Sequence, residues 1–281
     1  MAGGGKYVSA AHSPWSPPTG TLGLIVAEAE LRANATLVRT TELSRRVASL
    51  APGRSLRQAL RQSSVALLTE VKRQSPSKGA IASGLDAVVQ ARAYADGGAA
   101  ALSILTEPTH FGGSIDDLRR VVQGVALPVL KKDFHVHPVQ LLEARAEGAS
   151  AALLIVRAVS PDRLAQLMSA GQDLGLELLL EVRNEAELEL ALSLGATMVG
   201  VNNRNLESLV IDPSTAERIV PLVPGDVVAI AESGIASRSD VERYAAVGAD
   251  AVLVGSSLSA AADPVVATRA LANVPRRDRA R

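Results

Sequence analysis

Four stretches of the chain read alike: YADGGAAALSIL (94–105), ARAEGASAALLI (144–155), LALSLGATMVGV (190–201) and YAAVGADAVLVG (244–255). Each is a helical segment that stops at a glycine–alanine step and runs straight into a short apolar stretch. Glycine suits the left-handed residue that ends a helix. The stopping glycines, Gly98, Gly148, Gly195 and Gly248, recur about every fifty residues, a spacing too long for one strand and one helix. Between them lie four more apolar runs, VALLTEV (65–71), LPVLKKD (127–133), LELLLEV (176–182) and DVVAIAE (226–232). Short, near-continuous apolar runs alternating with helical segments predict parallel strands covered on both faces by crossover helices.

Eight such units predict an α/β fold, a closed (β/α)8 TIM barrel with an N-terminal helical extension. An open doubly wound sheet is the alternative, but the early GxGxxG turn it often carries is missing. The predicted divisions are a disordered lead over 1–20, the helical extension over 21–64, the barrel over 65–265, and a C-terminal helix end with a basic tail over 266–281. The extension is expected to pack as amphipathic helices against one end of the barrel, and the tail to be solvated and frayed. With 29 basic and 29 acidic residues among 281, the net charge is zero, which argues against nucleic-acid or anionic-membrane partners. There is no cysteine, so thiol chemistry and cysteine-ligated metals are excluded. No apolar run reaches the ~18 residues of a membrane span, and a cytoplasmic protein is expected.

In such barrels chemistry gathers where the strands end. The first strand ends in Glu70 and Lys72, the third in Lys131, Lys132 and Asp133, the fifth in Glu181 and Arg183, the sixth in Asn202, Asn203 and Arg204, and the seventh in Glu232. One charged rim residue is unremarkable solvation, but five such strand ends together point to a site. Glu70 and Lys72, two apart on a strand, share a face, and with Glu181 and Lys132 they supply an acid–base set. Ser233-Gly234 after strand seven and Gly255-Ser256 after strand eight suit phosphate, since glycine lets backbone N–H groups approach an anion. Ser75 and Lys78 after strand one offer a hydroxyl and a cation. Aromatic residues make up 2% of the chain, so Phe111, Phe134 and Trp15 are candidate ligand-facing groups. His135 and His137 lack a third ligand at metal-binding spacing and are expected to be exposed loop residues.

The motifs EVKRQSPSKG (70–79), SILTEPTHFGGS (103–114), LKKDF (130–134), LLIV (153–156), LEVRNEAEL (180–188), GVNNRNL (200–206), AESGI (231–235) and VGSSL (254–258) together resemble the indole-3-glycerol phosphate synthase family, from about residue 21 to 265. The resemblance implies a carboxy-lyase of tryptophan biosynthesis that closes the indole ring of 1-(2-carboxyphenylamino)-1-deoxyribulose 5-phosphate with loss of carbon dioxide and water. It implies no metal or organic cofactor. Lys132 then resembles the general acid at the C2 carbonyl, and Glu181 the carboxylate that stabilises a cationic intermediate or accepts a proton. Lys72 and Glu70 resemble the strand-one pair that assists dehydration and orients the hydroxyls. Asn202 resembles the amide that holds the ribulose chain, with Arg204 and Glu232 as neighbours. Phosphate falls to Ser75, Ser233, Gly234, Gly255 and Ser256, and the aromatic ring to Pro76, Phe111, Phe134, Leu153 and Leu206. The partner is a small phosphorylated substrate; a monomer is expected, with association with other tryptophan-pathway enzymes left open.

Three places depart from the family pattern. His135–Val139 follow LKKDF in place of an aliphatic pair, Asp and Tyr; Arg183 replaces a frequent His; and Asn205 replaces a frequent Asp. Two other readings compete. A Schiff-base aldolase would use Lys132 as nucleophile, and a scaffold barrel would use none of these residues.

Overall fold

The computed structural model of the protein describes residues 15–51 and 53–279, so positions 1–14 of the predicted lead lie outside the described residues. Eight parallel strands close into a barrel: β1 (Ala66–Val71), β2 (Ala101–Leu105), β3 (Val129–Lys132), β4 (Ala151–Ile155), β5 (Glu177–Val182), β6 (Met198–Asn202), β7 (Val228–Glu232) and β8 (Ala251–Val254). Each pairs with its neighbour in sequence, and β8 closes on β1. Nearly every strand residue is buried, because the barrel interior takes one face and the helices take the other. The repeat glycines do end helices, with φ of 99° at Gly98 and 86° at Gly148.

Three helices precede the barrel: α1 (Gly20–Thr36), α2 (Thr40–Ala48) and α3 (Leu56–Ala59). Between strands run α4 (Ala87–Asp96), α5 (Pro108–Phe111), α6 (Ile115–Gly124), α7 (Pro138–Ala146), α8 (Pro161–Asp173), α9 (Glu185–Ser193), α10 (Ser214–Ile219) and α11 (Arg238–Ala246), and α12 (Ser256–Ser259) and α13 (Pro264–Leu271) follow β8. The predicted boundary at 265/266 therefore cuts α13.

The N-terminal helices do not sit at one end. Leu22, Ile25, Val26, Ala29 and Ala33 form the buried stripe of α1, whose Thr21, Leu22 and Ile25 line the cavity at the C-terminal mouth. The segment then descends along α7, where Arg46 pairs with Glu147 at 2.8 Å. At the opposite face Ser55 and the Arg57 N–H both donate to Glu177, the first residue of β5. The reason is topological: every strand starts at the bottom, so a chain that begins over the mouth must cross the barrel's height to enter β1.

The basic tail is likewise not frayed as far as Arg279, the last described residue. Arg276 and Arg279 reach Asp250 at 2.6 and 2.8 Å, and Arg279, 3% exposed, also donates to the carbonyls of Val223 and Val227. Asp250 is buried just before β8, and a buried carboxylate requires a cation; the tail supplies two.

Candidate active site

All the residues given a catalytic or substrate-binding role by the sequence line one cavity at the C-terminal mouth of the barrel. Register brings them there. Glu181 pairs with Ile155, Asn202 with Glu232, and Lys132 with Leu105, so the last inward-facing residue of several strands arrives at one depth. The Lys132 Nζ donates to Glu181 Oε2 at 2.7 Å and to Glu232 Oε2 at 3.0 Å. Asn202 Nδ2 donates to the other Glu181 oxygen at 2.8 Å, and Lys72 pairs with Glu70 at 2.5 Å. Glu181 and Glu232 side chains are 4% and 2% exposed against 13% for Lys132, so these charges meet largely out of water. Burial alone would lower the proton affinity of Lys132, but Glu181, Glu232 and Glu70 outweigh it and hold the ammonium above the ordinary lysine range. Burial, reinforced by repulsion from Glu181 and Glu70, exceeds the attraction of Lys132 and pushes the Glu232 carboxyl up to about 7.

The neighbours of Lys132 are anchored on the far side of the strand. Lys131 pairs with Glu143 of α7 at 2.9 Å. Asp133 accepts from Thr106 at 2.5 Å, from Arg32 of α1 at 3.1 Å and from the Phe134 N–H at 2.8 Å. Arg32 also reaches Glu107 at 3.5 Å, whose carboxylate caps α5 by accepting from the N–H groups of Thr109, His110 and Phe111. One arginine thus ties α1 to both loops that carry phenylalanines. The Phe111 and Phe134 rings lie 6.0 Å apart, with Lys72 Nζ 5.9 Å from the Phe111 centroid.

Opposite this aromatic wall are the two glycine–serine turns. Ser233 and Gly234 both take positive φ, 69° and 82°; the strain at Ser233 is held by Asn203, which donates to the Ser233 carbonyl at 3.0 Å and to the Tyr244 hydroxyl at 2.8 Å. Ser259 fixes the end of β1, donating to the Glu70 carbonyl and accepting from the Lys72 N–H, each at 3.2 Å. Sequence reading missed Arg32, Ser259 and the cavity-lining face of α1, since no local pattern reveals contacts that far apart in the chain; Asn203 stood in a quoted motif without a role.

The histidines correct the expectation of exposed loop residues. His135 is buried and its Nδ1–H donates to the Leu153 carbonyl at 2.7 Å; burial, then Lys131, depress it to about 3, so it is neutral. His137 caps α7, accepting from the Val139 N–H. Neither lines the cavity, and Trp15 lies exposed outside it. Glu28, Glu107 and His110 are close enough to share a cation, but both Glu107 oxygens are already occupied by backbone donors and Arg32.

A closed (β/α)8 barrel with paired lysines and carboxylates at its strand ends belongs to the class of barrel enzymes that run acid–base chemistry from the C-terminal mouth. The family model for indole-3-glycerol phosphate synthase matches residues 24–271. Similar relatives include the indole-3-glycerol phosphate synthases of Mycobacterium sp. (strain KMS), 45% identical over 84% of this chain and 87% of that one, and of Nocardioides sp. (strain ATCC BAA-499 / JS614), 47% identical over 83% and 90%. Among solved structures, 3-hexulose-6-phosphate synthase from Salmonella typhimurium shares the fold, with a TM-score of 0.60 at 18% identity over 74% of this chain and 96% of that one. The chain belongs to the indole-3-glycerol phosphate synthase family, carboxy-lyases of tryptophan biosynthesis.

Proposed function

We propose that the chain converts 1-(2-carboxyphenylamino)-1-deoxyribulose 5-phosphate to indole-3-glycerol phosphate in this cavity. The observation that carries the reading is the Lys132 ammonium bonded to both Glu181 and Glu232, between an aromatic pair and two glycine–serine turns. The turns, with Ser75, hold the phosphate, and Phe111, Phe134, Pro76, Leu153 and Leu206 enclose the ring. Lys132 donates a proton to the C2 carbonyl oxygen as the carboxylate-bearing ring carbon attacks C2. Loss of carbon dioxide returns its bonding electrons to the ring. Departure of the C2 hydroxyl as water needs one further proton, which Lys132 or Lys72 supplies, and Glu181 takes the proton released as the indole forms. Asn202 orients Glu181, and Arg204, desolvated and with lowered proton affinity, faces the substrate's carboxylate.

An imine-forming aldolase is disfavoured by the same geometry, because a nucleophilic lysine must be neutral and three carboxylates keep Lys132 charged. The reading includes a cytoplasmic monomer acting on a small phosphorylated substrate, without nucleic-acid or membrane partners; zero net charge supports the last point alone, and no helix among the described residues is long and apolar enough to cross a membrane. Fluorescence of the indole product tests the proposal. Product from the wild type, with near-complete loss in Lys132→Ala and Glu181→Ala, is expected; a folded wild type that makes none overturns it.

A further inference from the structure

Glycine inside a strand weakens it relative to alanine, through lost chain entropy and the missing side chain. Gly200 is such a residue, in the middle of β6 and facing the barrel interior two positions below Asn202. Its backbone gives no reason for glycine, since it is not among the positive-φ glycines. Space does. A Cβ on Gly200 would stand 2.0 Å from Glu232 Oε1 and 3.1 Å from its carboxyl carbon, while the next neighbour, Leu179 Cδ1, lies at an ordinary 3.5 Å. That same Oε1 is buried and has no hydrogen-bond partner, whereas Oε2 takes the Lys132 ammonium at 3.0 Å.

We propose that Gly200 is a positioning residue: by omitting a side chain inside the barrel it opens the niche that seats the Glu232 carboxylate, one oxygen on Lys132 and the other a free proton acceptor. This rests on the reading of the cavity as the active site. An alanine at 200 and the seated carboxylate cannot coexist, so the carboxylate must leave the niche, lose its angle to Lys132 and approach the solvated mouth. The deep seat also explains why Glu232 holds its proton up to about 7, since no donor compensates the buried oxygen.

The test compares wild type, Gly200→Ala, Glu232→Asp and the double variant by steady-state kinetics across pH, and by 13C NMR of glutamate carboxyls. In the wild type one glutamate should titrate near 7, and Glu232→Gln should remove it. In Gly200→Ala that titration should fall toward the ordinary carboxylate range, the acidic limb of the pH profile should move with it, and kcat/KM should drop about a hundredfold. Aspartate is one methylene shorter, so the double variant should regain about tenfold over Gly200→Ala. Equal losses from Gly200→Ala in both backgrounds, or an unmoved titration, would overturn the proposal. If Gly200→Ala does not fold, a folded double variant places the clash on Glu232, and an unfolded one places it in barrel packing and sinks the niche. The NMR titration is independent of turnover, so a wild type without product would count against the assigned reaction and not against the niche.

Discussion

At the centre of the mouth cavity Glu181 and Glu232 share one ammonium, that of Lys132, while Glu70 pairs with Lys72. Burial, with repulsion from Glu181 and Glu70, makes Glu232 hold its proton up to about 7, and this has a cost in stability. Its folded proton affinity lies above that of the unfolded chain, so the folded state binds more protons between about 4.5 and 7 and loses stability as pH rises through that window. His135 acts oppositely: depressed to about 3 from 6.5, it costs stability as pH falls below about 6.5. The two slopes oppose each other between about 4.5 and 6.5. Urea midpoints at pH 5 and 7.5 should therefore show Glu232→Gln gaining stability relative to wild type at the higher pH, and a deficit there would contradict its buried, proton-holding state. Replacing Lys132 by Met should lower kcat about a thousandfold, measured at saturating substrate. At this scale the sequence exposes the residues that interrupt apolar runs, such as Glu70, Lys132, Glu181 and Glu232. It hides those defined only by what they touch: Gly200 reads as one more small strand residue, and Ser259 as a helix residue.

The element that sequence reading placed least well is α1. Its buried stripe is visible as a pattern, but its partner is not, because Arg32 meets Asp133 and Glu107 across 101 and 75 residues. Through that arginine α1 braces the loops after β2 and β3, and so the spacing of Phe111 and Phe134. Arg32→Ala should raise KM about tenfold with a smaller change in kcat, since it loosens the ring pocket without touching the proton-transfer groups. A fall in kcat at unchanged KM would show that α1 acts on the chemistry instead. The strands were legible for a simpler reason: each is a contiguous apolar run, and before β2, β4, β6 and β8 the glycine ending the preceding helix marks where the strand starts.

For the whole molecule, the two faces of the barrel divide the labour: the mouth carries the reacting groups, and the bottom carries Asp250 with Arg276 and Arg279. Arg279→Ala should cost about 2–4 kcal/mol by leaving a buried carboxylate under-paired, a fall in Tm of roughly 5–10 °C for a chain of this size, with kcat/KM unchanged. The eightfold architecture was legible because it repeats; the tail was not, since a short arginine-rich end looks the same whether solvated or clamped until Asp250 is placed in space. The most direct measurement of the central claim is a crystal structure with the substrate analogue in which the C2 carbonyl is reduced to an alcohol. The C2 oxygen should lie within hydrogen-bond distance of Lys132 Nζ, the phosphate on the turns at Ser233-Gly234 and Gly255-Ser256, and the ring between Phe111 and Phe134. A phosphate bound elsewhere, or a C2 oxygen out of reach of Lys132, would contradict it.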